Sequence, residues 1–251
     1  MIVPLDSGER FLPCGFKDEY ELQDLIEKHP AILDVIPKIN KQDSSLMLLG
    51  REFSVQSGAI DFLATDIEGN IYIIETKLAE NPEVRRAIIG QVLEYASNLR
   101  DMPYDMFRTL CSKYIGNPME SAIQYCYTNR TDEENNGMLE AIQYDQKLKA
   151  DLEQGRFNIV IITNKVNFEI QRLFSFIDEI TNTDLNFLVL ELNKYTLGDN
   201  SYIHSNVVWA AKYIRSLFSR KVVTEEEYLS SKSEHVRNLI SFVDNWCTKK
   251  D

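Results

Sequence analysis

The order of apolar and polar residues predicts one helix and three strands in the first third of the chain. Residues 18 to 28 place leucine and isoleucine at helical spacing among polar residues, and a proline follows shortly after. Residues 46 to 55 form an apolar run with a single glycine, which predicts a strand. Two further apolar runs, at 59 to 65 and 71 to 77, flank a turn sequence and together predict a β-hairpin.

The remainder of the chain predicts a second helix, a polar region and a further α/β unit. Residues 82 to 100 begin with a proline and carry one apolar stripe, as in a helix that faces a core. From about 101 to 155 the sequence is polar and irregular, which indicates an insertion. A strand, helix, strand order over 157 to 192 predicts a crossover that extends the sheet of the hairpin. We expect one domain over 1 to 195 and a helical C-terminal extension over 196 to 251, in which 207 to 218 is a helix.

The composition is that of an ordinary globular protein. Of 251 residues, 44% are hydrophobic and 10% aromatic, which is enough for a packed interior. The chain has no basic leader followed by an apolar run and no apolar stretch of membrane-spanning length, so we expect a cytoplasmic protein that does not bind membranes. Its four cysteines are scattered without CxxC pairs, which argues against a zinc site and against a disulfide framework and favours reduced, mostly buried thiols.

The net charge of −12 argues against tight, non-specific binding to nucleic acid. It does not exclude phosphodiester chemistry, because carboxylates that hold divalent cations bring positive charge to a site. A contact surface can also be locally basic on an acidic protein.

The predicted hairpin brings acidic residues together. If Thr65 pairs with Ile71, the same register sets Asp61 opposite Glu75 across the two strands. Because side chains alternate along a strand, Lys77 shares the face of Glu75, whereas Thr76 points away and leaves its backbone carbonyl near the site.

Two carboxylates and an amine on one face suit a metal site for phosphodiester cleavage. Asp61 and Glu75 could hold Mg²⁺, and Lys77 could orient the attacking water or offset charge on the phosphate. A structural ion pair explains the same residues equally well at this point. The short pattern also recurs at Asp145-Gln146-Lys147, in a segment that lacks a preceding apolar strand. The first pattern differs because both of its acids lie in strongly apolar runs, where unpartnered charges are costly.

The helix after the hairpin offers two more polar side chains. Gln91 and Tyr95 are four residues apart and therefore lie on one helical face, from which they could steady the lysine, a water or a phosphate. For this spacing alone, a core tyrosine beside an edge glutamine is the favoured explanation.

Other motifs are absent from the sequence: there is no GxGxxG or P-loop pattern, and the three histidines lie far apart without metal-binding spacing.

Taken together, GREFSVQSGAIDFLATDIEGNIYIIETK and the later GQVLEYA resemble the PD-(D/E)XK nuclease superfamily, specifically its RecB/NucS-like branch with a QxxxY helix. The resemblance covers a core at 18 to 100, with a weaker echo at 157 to 192. It implies a restriction-endonuclease-like α/β fold, with a central mixed β-sheet flanked by helices. The proline that the family places before its first aspartate is Ile60 here.

The resemblance also implies the roles of individual residues. The first helix matches ExxLQxLIxxxP, in which Glu19 is the acid expected at the metal site and Glu21 is the alternative. The expected catalytic residues are Glu19, Asp61, Glu75, Lys77, Gln91 and Tyr95. The expected metal ligands are Asp61, Glu75, the backbone carbonyl of Thr76, and Glu19.

The function implied is Mg²⁺- or Mn²⁺-dependent hydrolysis of phosphodiester bonds, with DNA as the expected partner and defence or repair as the setting. The alternative is a non-catalytic module that uses the same fold to bind nucleic acid or protein. The sequence leaves open whether the chain forms a homodimer.

Overall fold

The computed structural model describes residues 10–36, 46–66, 68–79, 84–119, 137–166, 172–173, 176–177 and 185–210. In chain order the elements are β1 (Leu12–Cys14), α1 (Glu19–Lys28), a 3-10 helix (Pro30–Val35), β2 (Met47–Val55), β3 (Gly58–Thr65), β4 (Ile71–Thr76), α2 (Val84–Arg100), α3 (Tyr104–Ile115), α4 (Gly137–Gln154), β5 (Phe157–Thr163), β6 (Leu185–Leu197) and β7 (Asn200–Ala210).

The strands form one open, mixed sheet in the order β1-β6-β5-β4-β3-β2, with β7 also paired to β6. The pairs β2–β3 and β3–β4 are antiparallel, the pairs β4–β5 and β5–β6 are parallel, and β6 pairs antiparallel with both β1 and β7. The prediction of an α/β protein with a central mixed sheet is confirmed. So is the prediction that the 157 to 192 unit extends the sheet of the hairpin.

Helices cover both faces of the sheet. On one face, which we call the α2 face, Val92 of α2, Phe107 of α3 and Leu148 of α4 pack with strand residues such as Leu63 and Ile73. On the other, the α1 face, Leu22, Ile26 and Leu33 from α1 and the 3-10 helix pack with strand residues such as Phe62 and Ile74. Strands buried on both faces explain why β4 and β5 are continuous apolar runs in the sequence.

The first helix starts where its sequence predicts. Asp18 caps it by accepting a hydrogen bond of 2.8 Å from the backbone N–H of Glu21. Leu22 and Ile26, one turn apart, are fully buried against the sheet, so the helix lies with one fixed face towards β4. That orientation matters because Glu19 and Gln23 lie on the same side of the helix as these anchors.

The irregular structure expected over 101 to 155 is wrong for most of its described residues. Residues Tyr104–Ile115 and Gly137–Gln154 form helices α3 and α4. Of their apolar residues, Phe107, Cys111 and Leu148 are fully buried against the α2 face. The long polar segment of this region, 120 to 136, lies outside the described residues.

The helical extension predicted over 196 to 251 is also wrong where it can be compared. Strand β6 runs to Leu197, across the boundary predicted after residue 195, and Asn200–Ala210 returns antiparallel to it as β7. The turn between them contains Gly198 at a positive φ of 57°, which glycine adopts without steric cost. The predicted helix at 207 to 218 is thus a strand as far as Ala210, and its remainder lies outside the described residues. The helix predicted between β5 and β6 is described only at 172–173 and 176–177, which are helical.

No helix within the described ranges is long and apolar enough to span a membrane. Of the cysteines, Cys111 is a buried free thiol whose pKa is raised by burial, and Cys14 is a free, partly buried thiol. The other two cysteines lie outside the described residues. His29 and His204 lie on the surface, as expected for structural or surface histidines.

Candidate active site

The β3–β4 hairpin has the register that its sequence predicts. Thr65 pairs with Ile71, and the ladder continues as far as Phe62 and Ile74. Asp61 and Glu75 are the next positions along, one step beyond the last ladder pair. The two acids therefore lie where the strands of the hairpin begin to separate, at the end opposite its turn.

The carboxylate of Glu75 is fully buried and has one charged partner. The residue has 0% of its surface exposed, and Oε2 accepts no hydrogen bond from the described part of the chain. Oε1 forms an ion pair with Lys77, whose Nζ lies 3.0 Å away. Burial, and next the charge of Asp61, raise the pKa of Glu75 to about 7 despite the lysine.

Lys77 lies between two acids. Besides Glu75, its Nζ contacts Oε2 of Glu19 at 3.3 Å, and Oε1 of Glu19 accepts a hydrogen bond of 3.2 Å from the backbone N–H of Leu78. Burial disfavours the charged amine, but the carboxylate of Glu75 outweighs it and raises the pKa of Lys77 above its ordinary value. The amine is therefore a permanent cation at neutral pH.

Of the two acids considered in the first helix, Glu19 lies at this site and Glu21 does not. Glu21 contacts the Lys194 amine and accepts a hydrogen bond of 2.6 Å from the backbone N–H of Lys17. These contacts, the backbone hydrogen bond above all, lower the pKa of Glu21. Glu21 thus joins α1 to β6 and is turned away from Lys77.

Asp61 is held by Thr76, contrary to the expectation that the threonine side chain points away. The hydroxyl of Thr76 donates a hydrogen bond of 2.6 Å to Oδ2 of Asp61, and the Thr76 backbone N–H donates another of 2.7 Å to the same oxygen. The side-chain alternation of β3 is broken at Asp61, since Ile60 packs on the α2 face and Phe62 on the α1 face although they are two residues apart. The Asp61 carboxylate lies at this break and reaches the end of β4.

The backbone of Thr76 faces the same carboxylate. The N–H of Lys77 bonds to the carbonyl of Ile162 on β5, at 2.8 Å. Backbone groups of successive strand residues point to opposite sides, so both N–H and carbonyl of Thr76 point away from β5, towards Asp61. The carbonyl named in the prediction therefore lies on the side of the site.

Gln91 and Tyr95 form a pair with each other on α2. The Gln91 amide donates a hydrogen bond of 2.8 Å to the Tyr95 hydroxyl. Tyr95 is buried in the core of the α2 face, and its hydroxyl lies over Gly58 at the start of β3. Within the described residues, neither Gln91 nor Tyr95 hydrogen-bonds with Asp61, Glu75 or Lys77. The two side chains lie beside the open end of the hairpin.

The structure brings two further groups to this site, for which the sequence pattern predicts no role. The Thr76 hydroxyl contacts Asp61, and the Gln23 amide contacts that hydroxyl. Gln23 could have been found from its spacing, because it lies four residues after Glu19 and hence on the same helical face. The Thr76 contact depends on the broken alternation at Asp61, which has no signal in the sequence.

Comparison with protein-family models, with curated proteins and with solved structures found no match to this chain. Its functional interpretation therefore rests on the geometry described above and on the residues themselves.

The donor set for a metal ion is small. Over the described ranges, no three His, Cys, Asp or Glu side chains are grouped so that they could hold a metal together. Asp61, Glu75 and the Thr76 carbonyl form a set of two carboxylates and one carbonyl, all oxygen donors of the kind that Mg²⁺ and Mn²⁺ prefer. Glu19 contacts the same Lys77 amine as Glu75 does, through Oε2 at 3.3 Å.

The second acid-x-lysine pattern, at Asp145-Gln146-Lys147, has a structural role. It lies on α4, where Asp145 accepts a hydrogen bond of 2.7 Å from the Tyr104 hydroxyl. The Lys147 amine contacts the buried Asp151 one turn further along. Each of its charged groups is thus engaged within the packing of α3 and α4, unlike the buried carboxylate of Glu75.

Proposed function

We propose that the chain is a metal-dependent nuclease of the PD-(D/E)XK type, with a restriction-endonuclease-like core formed by α1, the hairpin and α2. The observation that carries the proposal is the Glu75 carboxylate, fully buried near Asp61, with Lys77 as its one ion-pair partner and with Oε2 unpartnered within the described residues. Burying a carboxylate is costly unless its oxygens are paired or hydrogen-bonded. An Oε2 kept buried and unpartnered is well suited to bind a cation.

Mg²⁺ or Mn²⁺ fits the residues present. Oε2 of Glu75 has no partner within the described part of the chain, Asp61 has one oxygen without a hydrogen bond there, and the Thr76 carbonyl lies on the same side. When bound, such a metal supplies charge neutralisation at the phosphate and an activated water. Asp61, Glu75 and the Thr76 carbonyl would hold it.

The roles of the other residues follow from their contacts. Lys77 is a permanent cation beside Glu75, suited to contact a phosphate oxygen or to orient the attacking water. Glu19 binds both the Lys77 amine and the Leu78 backbone, and so fixes where the amine lies. Gln91 and Tyr95 support the start of β3 from α2.

A phosphodiester is the substrate class that this chemistry suits, and DNA is the polymer that the family resemblance implies. The net charge of −12 indicates that binding relies on the site itself more than on a general basic surface. Affinity for DNA should therefore be modest without divalent metal.

A non-catalytic module remains the second candidate, and one observation favours it. Lys77 already lies between Glu75 and Glu19, and no three acidic side chains are grouped around a common point in the described ranges. In such a module the three residues would form a structural ion-pair network.

Cleavage assays separate the two functions. Purified protein is incubated with linear, circular, single-stranded and branched DNA, and with RNA, in Mg²⁺ or Mn²⁺. We expect cleavage of at least one substrate, and a loss of about a thousandfold or more in Asp61→Ala and Lys77→Ala, because the first removes a proposed metal ligand and the second the cation proposed to contact the phosphate or the attacking water.

Matched controls are available on α4. Asp145→Asn changes the acid of the second pattern, and Lys149→Ala removes an exposed lysine whose partner is an exposed glutamate. Both should cleave as wild type does. Equal cleavage by wild type, Asp61→Ala and Lys77→Ala would exclude the assigned site, and no cleavage under any condition would favour the module.

A further inference from the structure

A chain of hydrogen bonds connects the first helix to Asp61. The Gln23 amide Nε2 donates to the Thr76 hydroxyl at 3.3 Å, and that hydroxyl donates to Oδ2 of Asp61 at 2.6 Å. All three residues are buried, with 4%, 0% and 8% of their surfaces exposed. The chain therefore runs through the interior and is shielded from competing water.

The direction of these bonds is fixed by chemistry. A threonine hydroxyl has a single proton, and the short contact to a carboxylate, which can only accept, uses it. The hydroxyl must therefore accept from Gln23, which sets Nε2 towards Thr76 and Oε1 away from it. Oε1 is buried and accepts no hydrogen bond from the described residues. An amide buried at this cost indicates a role beyond packing.

The same bonds distinguish the two oxygens of Asp61. The Thr76 hydroxyl and backbone N–H both donate to Oδ2, whereas Oδ1 receives no hydrogen bond within the described part of the chain. A carboxylate held in this way cannot rotate freely, and it presents Oδ1 in one fixed direction. Groups that orient a metal ligand are worth roughly 10- to 100-fold in metal affinity.

We propose that Gln23 is a positioning residue, which acts through the Thr76 hydroxyl to hold Asp61 with Oδ1 presented to the metal. This inference rests on the proposed function. Two residues on one face of α1 then position the site: Glu19 positions Lys77, and Gln23 positions Asp61. The packing of a single helix thus sets both the cationic and the anionic part of the site.

The test measures Mn²⁺ affinity by titration calorimetry on the full chain. Thr76→Val keeps the shape of the side chain but removes the hydroxyl, and should weaken Mn²⁺ binding about 10- to 100-fold. Thr76→Ser restores the hydroxyl and should bind within about threefold of wild type. Gln23→Met keeps the volume without the donor and should lose about tenfold. Gln143→Met, a change of the same type at an exposed position of α4, should have no effect.

Thermal unfolding of each variant without metal separates loss of fold from loss of positioning. The proposal is overturned if Thr76→Val and Gln23→Met bind Mn²⁺ as wild type does, or if Thr76→Ser binds as weakly as Thr76→Val. Those results leave the proposed function intact provided that Asp61→Ala abolishes binding. If wild type itself binds no Mn²⁺, the proposed function fails and the positioning role fails with it.

Discussion

Each end of the β3–β4 hairpin buries a carboxylate, but the two carboxylates differ in their hydrogen-bond partners. At the turn, Asp66 accepts four hydrogen bonds, from the backbone N–H groups of Glu68 and Asn70, the Asn70 amide and the Tyr72 hydroxyl. At the open end, Glu75 has one polar partner among the described residues, the amine of Lys77 at Oε1, and its Oε2 has none. Burial raises the pKa of both carboxyls, so burial does not distinguish them.

The difference lies in what surrounds each carboxylate. Asp66 closes a turn: its partners all lie within six residues of it, and they fix the chain where β3 passes into β4. Glu75 does not close a turn. Its neighbours are charged groups from three other places: Asp61 on β3, Glu19 on α1, and Lys77 after the end of β4. The contacts of Asp66 are those of a structural residue, and the unpartnered Oε2 of Glu75 is what the proposed metal site would use.

The largest effect on stability is expected at the turn. Asp66→Ala leaves the buried Tyr72 hydroxyl and the Asn70 amide without their acceptor, which should lower the free energy of unfolding by about 3 kcal/mol. Glu75→Gln removes a buried charge without removing a hydrogen-bond acceptor in use, and should leave stability at pH 7 unchanged or higher. Urea denaturation of both variants measures the difference.

The activities should run in the opposite order. Glu75→Gln is expected to be inactive in DNA cleavage, whereas the folded fraction of Asp66→Ala should retain activity. A Glu75→Gln variant that is destabilised as strongly as Asp66→Ala would show that both ends of the hairpin are structural.

The pH dependence of stability should differ between wild type and Glu75→Gln. The pKa of Glu75 is about 7 in the folded chain and its ordinary value is 4.5. Because the folded state then holds the proton more tightly than the unfolded state, stability falls as the pH rises from about 4.5 to about 7. The shift corresponds to about 3 kcal/mol. Between about pH 4.5 and pH 7, the free energy of unfolding of wild type should fall by that amount relative to Glu75→Gln. Urea denaturation without metal measures it, and parallel pH profiles of the two proteins would contradict the prediction.

A smaller effect is expected where α2 meets the open end. Gly58 has a φ of 152°, and a Cβ there would lie 3.3 Å from the Tyr95 hydroxyl. Gly58→Ala should therefore destabilise the chain by about 1 to 2 kcal/mol. Gly90→Ala on α2, where a Cβ has open space, should instead stabilise it by up to about 1 kcal/mol. Thermal unfolding of Gly58→Ala and Gly90→Ala measures these effects. Equal shifts in Tm would show that the Tyr95 hydroxyl does not restrict the space at Gly58.

The sequence predicted the hairpin well because its pairing is local. A short turn fixes Thr65 opposite Ile71, and the apolar runs on either side then set the register as far as Phe62 and Ile74. The convergence of Asp61, Glu75 and Lys77 follows from that register. The contact of Asp61 with Thr76 does not, because it depends on a break in the alternation of β3 that places Ile60 and Phe62 on opposite faces.

The errors have different causes. The apolar residues of α3 and α4, such as Phe107, Cys111 and Leu148, do recur at helical spacing, so the sequence carries a signal for these helices that the polar residues around them obscure. The run at 207 to 210 is short and apolar, a pattern that suits a helix or a strand equally, and its pairing with β6 decides for a strand. The choice between Glu19 and Glu21 likewise needed the position of Lys194, far away in the sequence.

The most direct test of the account is a calorimetric titration with Mn²⁺ of three proteins: wild type, Glu75→Gln at the open end of the hairpin, and Asp66→Asn at its turn. We predict that wild type and Asp66→Asn bind the metal, and that Glu75→Gln loses at least tenfold in affinity. Absence of binding by wild type, or equal binding by wild type and Glu75→Gln, would contradict the claim that the open end of the hairpin is a metal site.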